Sequence, residues 1–148
     1  MWKIIQQLCE DIRGNLTVYE AVVLMMTALG SLRCHDKSRV IPVGYSMLLI
    51  LYITLLRRTP EYNEEIRYHI SFLPDVKVWT GNLLNVILYI PLGGTIYNMA
   101  ASIKGTAFAA LLSSVLCEMI QYFTHRGVAD INDVLFNLIG ACAGALLF

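Results

Sequence analysis

Charge is what this chain has least of. Only 15% of its residues are Asp, Glu, Lys or Arg, against 57% hydrophobic, and the basic and acidic residues cancel. Soluble domains carry about 45 to 50% apolar residues, so this chain, with its positive mean hydropathy, reads as an integral membrane protein. A net charge of zero gives no electrostatic reason to expect nucleic acid as a partner. Paired cysteines are lacking too. Cys9, Cys34, Cys117 and Cys142 are far apart with no CxxC spacing, which argues against a zinc site or a disulfide framework and for free thiols. No internal repeat and no low-complexity linker divides the 148 residues, so one bundle is expected. The first fifteen residues hold Lys3, Glu10, Asp11 and Arg13 but no apolar h-region with a small-residue cleavage site. They are not expected to be a signal peptide.

What the chain does have is apolar runs of bilayer-spanning length. Trp2, Ile5, Cys9 and Ile12 recur at helical spacing among charges and predict a short amphipathic helix at the interface. Leu16 to Leu32 is the first expected span, with Glu20 near its start, and Arg33 to Arg39 is a basic loop. Val40 to Leu56, with Pro42 suited to a first turn, is the second and ends on Arg57 and Arg58. Thr59 to Thr80 is the one long polar connection, with Tyr62, Tyr68, Phe72 and Trp79 interleaved among charges, and predicts an interfacial helix or lid. The third span runs from Asn82 to about Ala101 and contains Pro91, Gly93 and Gly94; neighbouring helices can satisfy the carbonyl that a proline frees, so a kink with close packing is expected. The fourth runs from Thr106 to Thr124, and Gly127 is suited to the left-handed conformation that ends a helix. The expected fold is an all-α membrane protein, a bundle of about five transmembrane helices with a short N-terminal amphipathic helix.

The fifth span, Val128 to Phe148, carries the richest pattern. Asp130, Asp133 and Asn137 are spaced i, i+3, i+7, which aligns them on one helical face. Continuing that face reaches Gly140 and Gly144 with Ala141 and Ala145 beside them, a small-residue seam of the kind that lets membrane helices approach closely. A plainer reading makes Asp130 an N-cap and Asp133 an acid favoured by the helix dipole, but neither role covers Asn137. Similar stripes occur at Asn82, Asn85 and Tyr89, and at Glu118, Gln121, Tyr122 and His125. If five spans alternate in direction, Glu20, Arg57, Arg58, Asn82, Asn85, Glu118, Gln121, Asp130, Asp133 and Asn137 share one membrane face. Charge at mid-bilayer costs roughly 2.5 to 3.5 kcal/mol, so acids near one surface suit a water-filled funnel, with Arg58 and Arg126 as counter-charges. Mutual hydrogen bonding between helices is the alternative role for the asparagines and Gln121. Basic residues are more numerous on the polar face, yet they sit among acids there, and Arg33, Lys37 and Arg39 crowd one tight loop opposite; positive-inside counting does not decide the orientation.

The segments N-x-x-N-x-x-x-Y-I-P-L-G at Asn82 to Gly93, E-x-x-Q at Glu118 to Gln121 and D-I-N-D-V-L-x-N-x-x-G at Asp130 to Gly140 resemble the VanZ-like family of bacterial membrane proteins. The resemblance covers about the last hundred residues, mainly 45–148, and leaves residues 1–40 as an additional helix. Arg58 and Thr59 look like the family's arginine and threonine, and its D-x-D-D run is matched with Asn132 in the middle, leaving two carboxylates rather than three. The family is named for a protein associated with resistance to teicoplanin-type glycopeptides. The resemblance implies a multi-pass cell-membrane protein whose polar face is extracytoplasmic.

Two functions follow as expectations. The first is a non-enzymatic envelope protein that binds a polar ligand, lipid headgroup or cell-wall precursor through Arg58, Asn82, Asn85, Glu118, Gln121, Arg126, Asp130, Asp133 and Asn137, and so changes how a glycopeptide antibiotic reaches its target. The second is an intramembrane enzyme in which Glu118, Asp130 and Asp133 serve as acid and base, or hold a divalent cation, for work on a lipid-linked substrate. No nucleophile stands out, since Ser113 and Ser114 have no His nearby in sequence. Proton-coupled transport would need polar residues continuing to the other face, and Gly140 to Phe148 offers none. No resident cofactor or metal is expected. Membrane lipid is the expected partner, and the glycine seam suits packing within the chain better than a homo-oligomer.

Overall fold

The computed structural model describes residues 40–56, 66–67 and 76–148, together with Glu20, Val22, Val23, Met26 and Gly30, which lie in helical backbone. The expected N-terminal amphipathic helix, most of the first span, the basic loop with Cys34, and Arg57 and Arg58 lie outside the described residues. The described chain is mostly helical. Helix α1 spans Val40–Leu51 and continues as a π-helical turn, Tyr52–Leu56. It is followed by α2, Val76–Ala100, α3, Ile103–Thr124, and α4, Ile131–Leu147.

Helices α2 and α3 contain the stretches Trp79–Ala100 and Ile103–Thr124, each of 22 residues with mean hydropathy 1.3 and 1.5. At 1.5 Å per residue, 22 residues extend about 33 Å, enough for a hydrocarbon core of about 30 Å. Val40–Leu55 and Ile131–Leu147 are apolar but shorter. Phe108, Leu112, Leu116, Met119 and Phe123 are exposed along one side of α3, and Leu146 and Leu147 at the end of α4. Apolar exposure on this scale is what a lipid-facing surface requires.

Local signals explain where most helices stop and start. Ser102 caps α3, its hydroxyl accepting from Gly105 N at 3.1 Å. Ala101 takes a left-handed φ of 49°, so α2 and α3 are joined by only two residues. Helix α3 closes when the His125 N–H donates to Tyr122 O at 3.3 Å and the Arg126 N–H to Gln121 O at 3.1 Å. These are the paired bonds of a Schellman ending. His125, not Gly127, takes the left-handed conformation, with φ 54°. Histidine is among the residues that tolerate that region, so the helix ends before glycine is needed.

Two further expectations are corrected. Helix α2 begins at Val76, six residues ahead of Asn82, and so takes in part of the polar connection. The described centre of that connection, Ile66–Arg67, is a strand (β1) rather than helix; it pairs in parallel with Ala129–Asp130 (β2), with Ile66 opposite Ala129 and Arg67 opposite Asp130.

The bundle is drawn together by α2 and α4. A Cβ added at Gly140 would strike the Val86 carbonyl, one at Gly144 the Ile90 carbonyl, and one at Gly93 the backbone of Ala141. Backbones this close gain dispersion contacts that larger side chains would forbid. The seam expected at Gly140 and Gly144 is thus occupied within the chain by α2. Pro91 lies inside α2, which runs unbroken through it. Around this contact Tyr89, Leu92, Ile50, Ala110, Cys117 and Ala141 form the core.

Candidate functional site

The polar stripes of α2, α3 and α4 meet in two layers. The upper layer lies at the mouth, where α2 and α4 begin and α3 nears its end. Asn85 Nδ2 donates to Asp133 Oδ1 at 2.7 Å, and the Asp130 backbone N–H donates to Glu118 Oε2 at 2.9 Å. Asp130 is also the N-cap of α4: its Oδ1 accepts from Asn132 N at 2.8 Å and from Asn132 Nδ2 at 2.9 Å. The plainer reading of Asp130 is therefore correct as far as it goes, and capping leaves its charge at the mouth. Glu118 is 8% exposed, so a carboxylate that would be costly to bury alone is held by a main-chain donor.

The lower layer sits one turn deeper on all three helices. Tyr89 follows Asn85 by four residues on α2, Asn137 follows Asp133 by four on α4, and Ser114 precedes Glu118 by four on α3. One turn is about 5.4 Å along each axis. Asn137 Nδ2 donates to Ser114 Oγ at 2.8 Å. The Tyr89 hydroxyl is buried beside the polar side chains of Ser113, Ser114 and Cys117, with none of them at full hydrogen-bond geometry. Asn137 Oδ1 and Gln121 Oε1 are likewise buried without a partner among the described residues.

The expected site residues accordingly separate into groups. Asn85, Glu118, Asp130, Asp133 and Asn137 come together between α2, α3 and α4. Gln121 and Arg126 reach α1 instead: Gln121 Nε2 donates to Thr54 O at 3.3 Å and Arg126 Nη1 to Leu55 O at 3.1 Å. Asn82 is buried one turn nearer the start of α2. Arg58 lies outside the described residues.

Other contributors were not counted among the site residues from sequence. Extending the Glu118 stripe back by one turn reaches Ser114, and Tyr89 already ends the Asn82 stripe, so both had a signal. Asn132, which reads as a lost carboxylate, braces Asp130. Arg67 arrives opposite Asp130 through the pairing of two strands far apart in sequence, which no periodicity reports. The carbonyls of Thr54 and Leu55 belong to the π-helical turn, where the ordinary helical bonding is interrupted.

Chemically, the upper layer offers carboxylates and the lower layer neutral hydroxyls and amides. Ser113 Oγ donates to Ala110 O at 2.9 Å within its own helix, and Ser114 accepts from Asn137. His125 is eleven residues from Ser114 along the chain, about 16 Å on a helix. Neither serine therefore has a histidine beside it among the described residues. Nor do those residues bring three His, Cys, Asp or Glu side chains together as metal ligands. Trp79 packs edge-on against Phe136 at 6.3 Å, joining the start of α2 to α4 beside the upper layer.

Compared with models of protein families, residues 18–148 match the one described as VanZ/LLP1. The match begins well ahead of the segments that carry the motifs. No curated protein and no solved structure shows a significant match to the chain.

Proposed function

The chain belongs to the VanZ/LLP1 family, and from that premise we propose that it is a multi-pass protein of the bacterial cell membrane that binds a polar headgroup or cell-wall precursor at the acidic mouth, without catalysis. Binding there would alter how a teicoplanin-type glycopeptide reaches its target. The observation that carries this reading is the convergence of Glu118, Asp130 and Asp133, from two helices, at one end of an otherwise apolar bundle, each fixed by a hydrogen bond. Family membership and two helices of spanning length make it a membrane protein. Five spans and an extracytoplasmic mouth belong to the proposal.

Amide substitutions test it. Glu118→Gln, Asp130→Asn and Asp133→Asn keep an oxygen able to accept the observed bonds, and asparagine is as good an N-cap as aspartate. Each variant should remain folded in detergent, while a sensitive Gram-positive host expressing it should lose the teicoplanin protection given by the parent. Variants that lose stability but protect fully at equal abundance would make the acids structural. A parent that gives no protection would remove the glycopeptide reading.

The orientation has its own test. With Cys34 as the only cysteine, a membrane-impermeant maleimide should label intact cells no more than background and label strongly once the membrane is opened. Equal labelling in both would place the mouth in the cytoplasm.

A further inference from the structure

We infer that the π-helical turn Tyr52–Leu56 is a register switch: it tightens reversibly into an ordinary α-helical turn, rotating the chain that follows α1, and Arg126 carries the choice of register to the turn that leads into the acidic mouth. Local sequence weakens the α-helix at this point. Ile53 and Thr54 are consecutive β-branched residues, whose restricted χ1 lowers helix propensity. A π-helical turn closes i to i+5, one residue more than an α-helical turn. Side chains then supply donors to the main chain around it. Thr54 Oγ1 donates to Ile50 O at 2.7 Å, Gln121 Nε2 to Thr54 O at 3.3 Å and Arg126 Nη1 to Leu55 O at 3.1 Å. A shift of one residue presents a neighbouring main-chain oxygen of the same kind, so neither register forfeits its anchors.

The joint also holds an acceptor still to be met. Gln121 is 1% exposed, and its Oε1 has no hydrogen-bond partner among the described residues. A buried acceptor without a donor raises the energy of the arrangement that contains it, and so narrows the gap to an alternative one. Near balance of two packings is what a switching element requires.

The reach of the switch follows from where Arg126 stands. It lies in the turn between α3 and α4, next to His125, whose left-handed φ of 54° ends α3, and four positions ahead of Asp130. Asp130 caps α4, and Glu118 holds its N–H. A movement of Leu55 is therefore passed through one short turn to the residue that opens α4. The chain leaving the π-helical turn also returns to the same place, since Ile66 and Arg67 pair with Ala129 and Asp130. A π-helical turn that served only as a fixed bend would have one register. The switch has two, and a rotation of one residue is about 100°, which moves a side-chain tip 5 to 6 Å from the helix axis by up to about 8 Å.

The test counts registers in the full chain, reconstituted in lipid nanodiscs. Nitroxide labels are placed at position 57, the first after the turn, and at Phe123, which is exposed on α3, with Cys9, Cys34 and Cys142 replaced by alanine and the buried Cys117 left in place. Pulsed electron spin resonance should give two distances. Deleting Tyr52, which is exposed, removes the extra residue and should leave a single distance, that of the π-helical register, with the melting temperature no lower than the parent's. If the deletion does not fold, Gln121→Leu serves in its place: it removes one anchor and the unmet oxygen together, and should change the proportion of the two distances at least twofold. Asp130→Ala, which loosens the start of α4, should also change that proportion at least twofold, and should fail to do so once Arg126→Met has cut the link to Leu55. A single distance in the undeleted chain, or two distances that survive the deletion, would overturn the switch, as would a proportion indifferent to Gln121→Leu. A proportion indifferent to Asp130→Ala, or one that still responds to it in Arg126→Met, would overturn the link to the mouth. None of these outcomes depends on what the mouth binds.

Discussion

Helix α4 is held to its neighbours in two different ways along its length. Its first half, from Asp130 to Asn137, is tied by side-chain hydrogen bonds to α2 and α3. Its second half has none of these; Gly140 and Gly144 bring its backbone against Val86 and Ile90 of α2. The contrast separates two requirements. Close backbone contact fixes the geometry of the bundle at little electrostatic cost. Polar bonds place charge in a membrane, which costs more and is warranted where something charged is to be met. The glycine half therefore reads as fold, and the carboxylate half is where the proposed binding is placed.

The sharpest way to break this contrast is at the glycines. Gly140→Leu should lower stability by about 3 kcal/mol or more, since even a Cβ there meets main chain, and folded protein recovered in detergent should fall accordingly. An unchanged melting temperature would mean that α2 and α4 do not need their close approach. Next in size is the loss of one bond in the other half. Asn85→Leu removes the donor to Asp133 but preserves bulk, and should cost about 1 to 3 kcal/mol, clearly less than Gly140→Leu; the reverse order would assign the fold to the polar half. The smallest effect is expected at Gly44, which has nothing within 4 Å of an added Cβ and is exposed on α1. Gly44→Ala should raise stability by about 0.5 kcal/mol through helix propensity. A destabilised Gly44→Ala would show that this face of α1 is also a tight contact.

Which features were legible in sequence follows from their range. The helices could be read because an apolar run is a local property, and so could the stripes at Asn82, Glu118 and Asp130, because residues three or four apart share a face whatever the helix packs against. The two-layer registry of Asn85 and Tyr89 with Asp133 and Asn137 was half visible: each stripe could be seen, but which rung met which depends on the depth at which α2 and α4 cross, and Gly93, Gly140 and Gly144 set that depth by contact. The pairing of Arg67 with Asp130 was not legible. A two-residue strand has too few positions for a period, and its partner is distant in the chain. The start of α2 was hidden because residues 76–80 lie in a connection that reads as polar, and the packing of Trp79 on Phe136 of α4 is a distant contact that no local pattern reports.

The π-helical turn at Tyr52–Leu56 bears on how this chain tolerates change. Its links to α3 and to the turn that ends it run from the Gln121 and Arg126 side chains to the main-chain oxygens of Thr54 and Leu55, and every amino acid supplies that oxygen. Substitution at positions 54 and 55 can leave both links intact, whereas substitution at 121 or 126 removes one outright. In a library of variants the joint would register at positions 121 and 126, and half of a physical contact would be genetically silent.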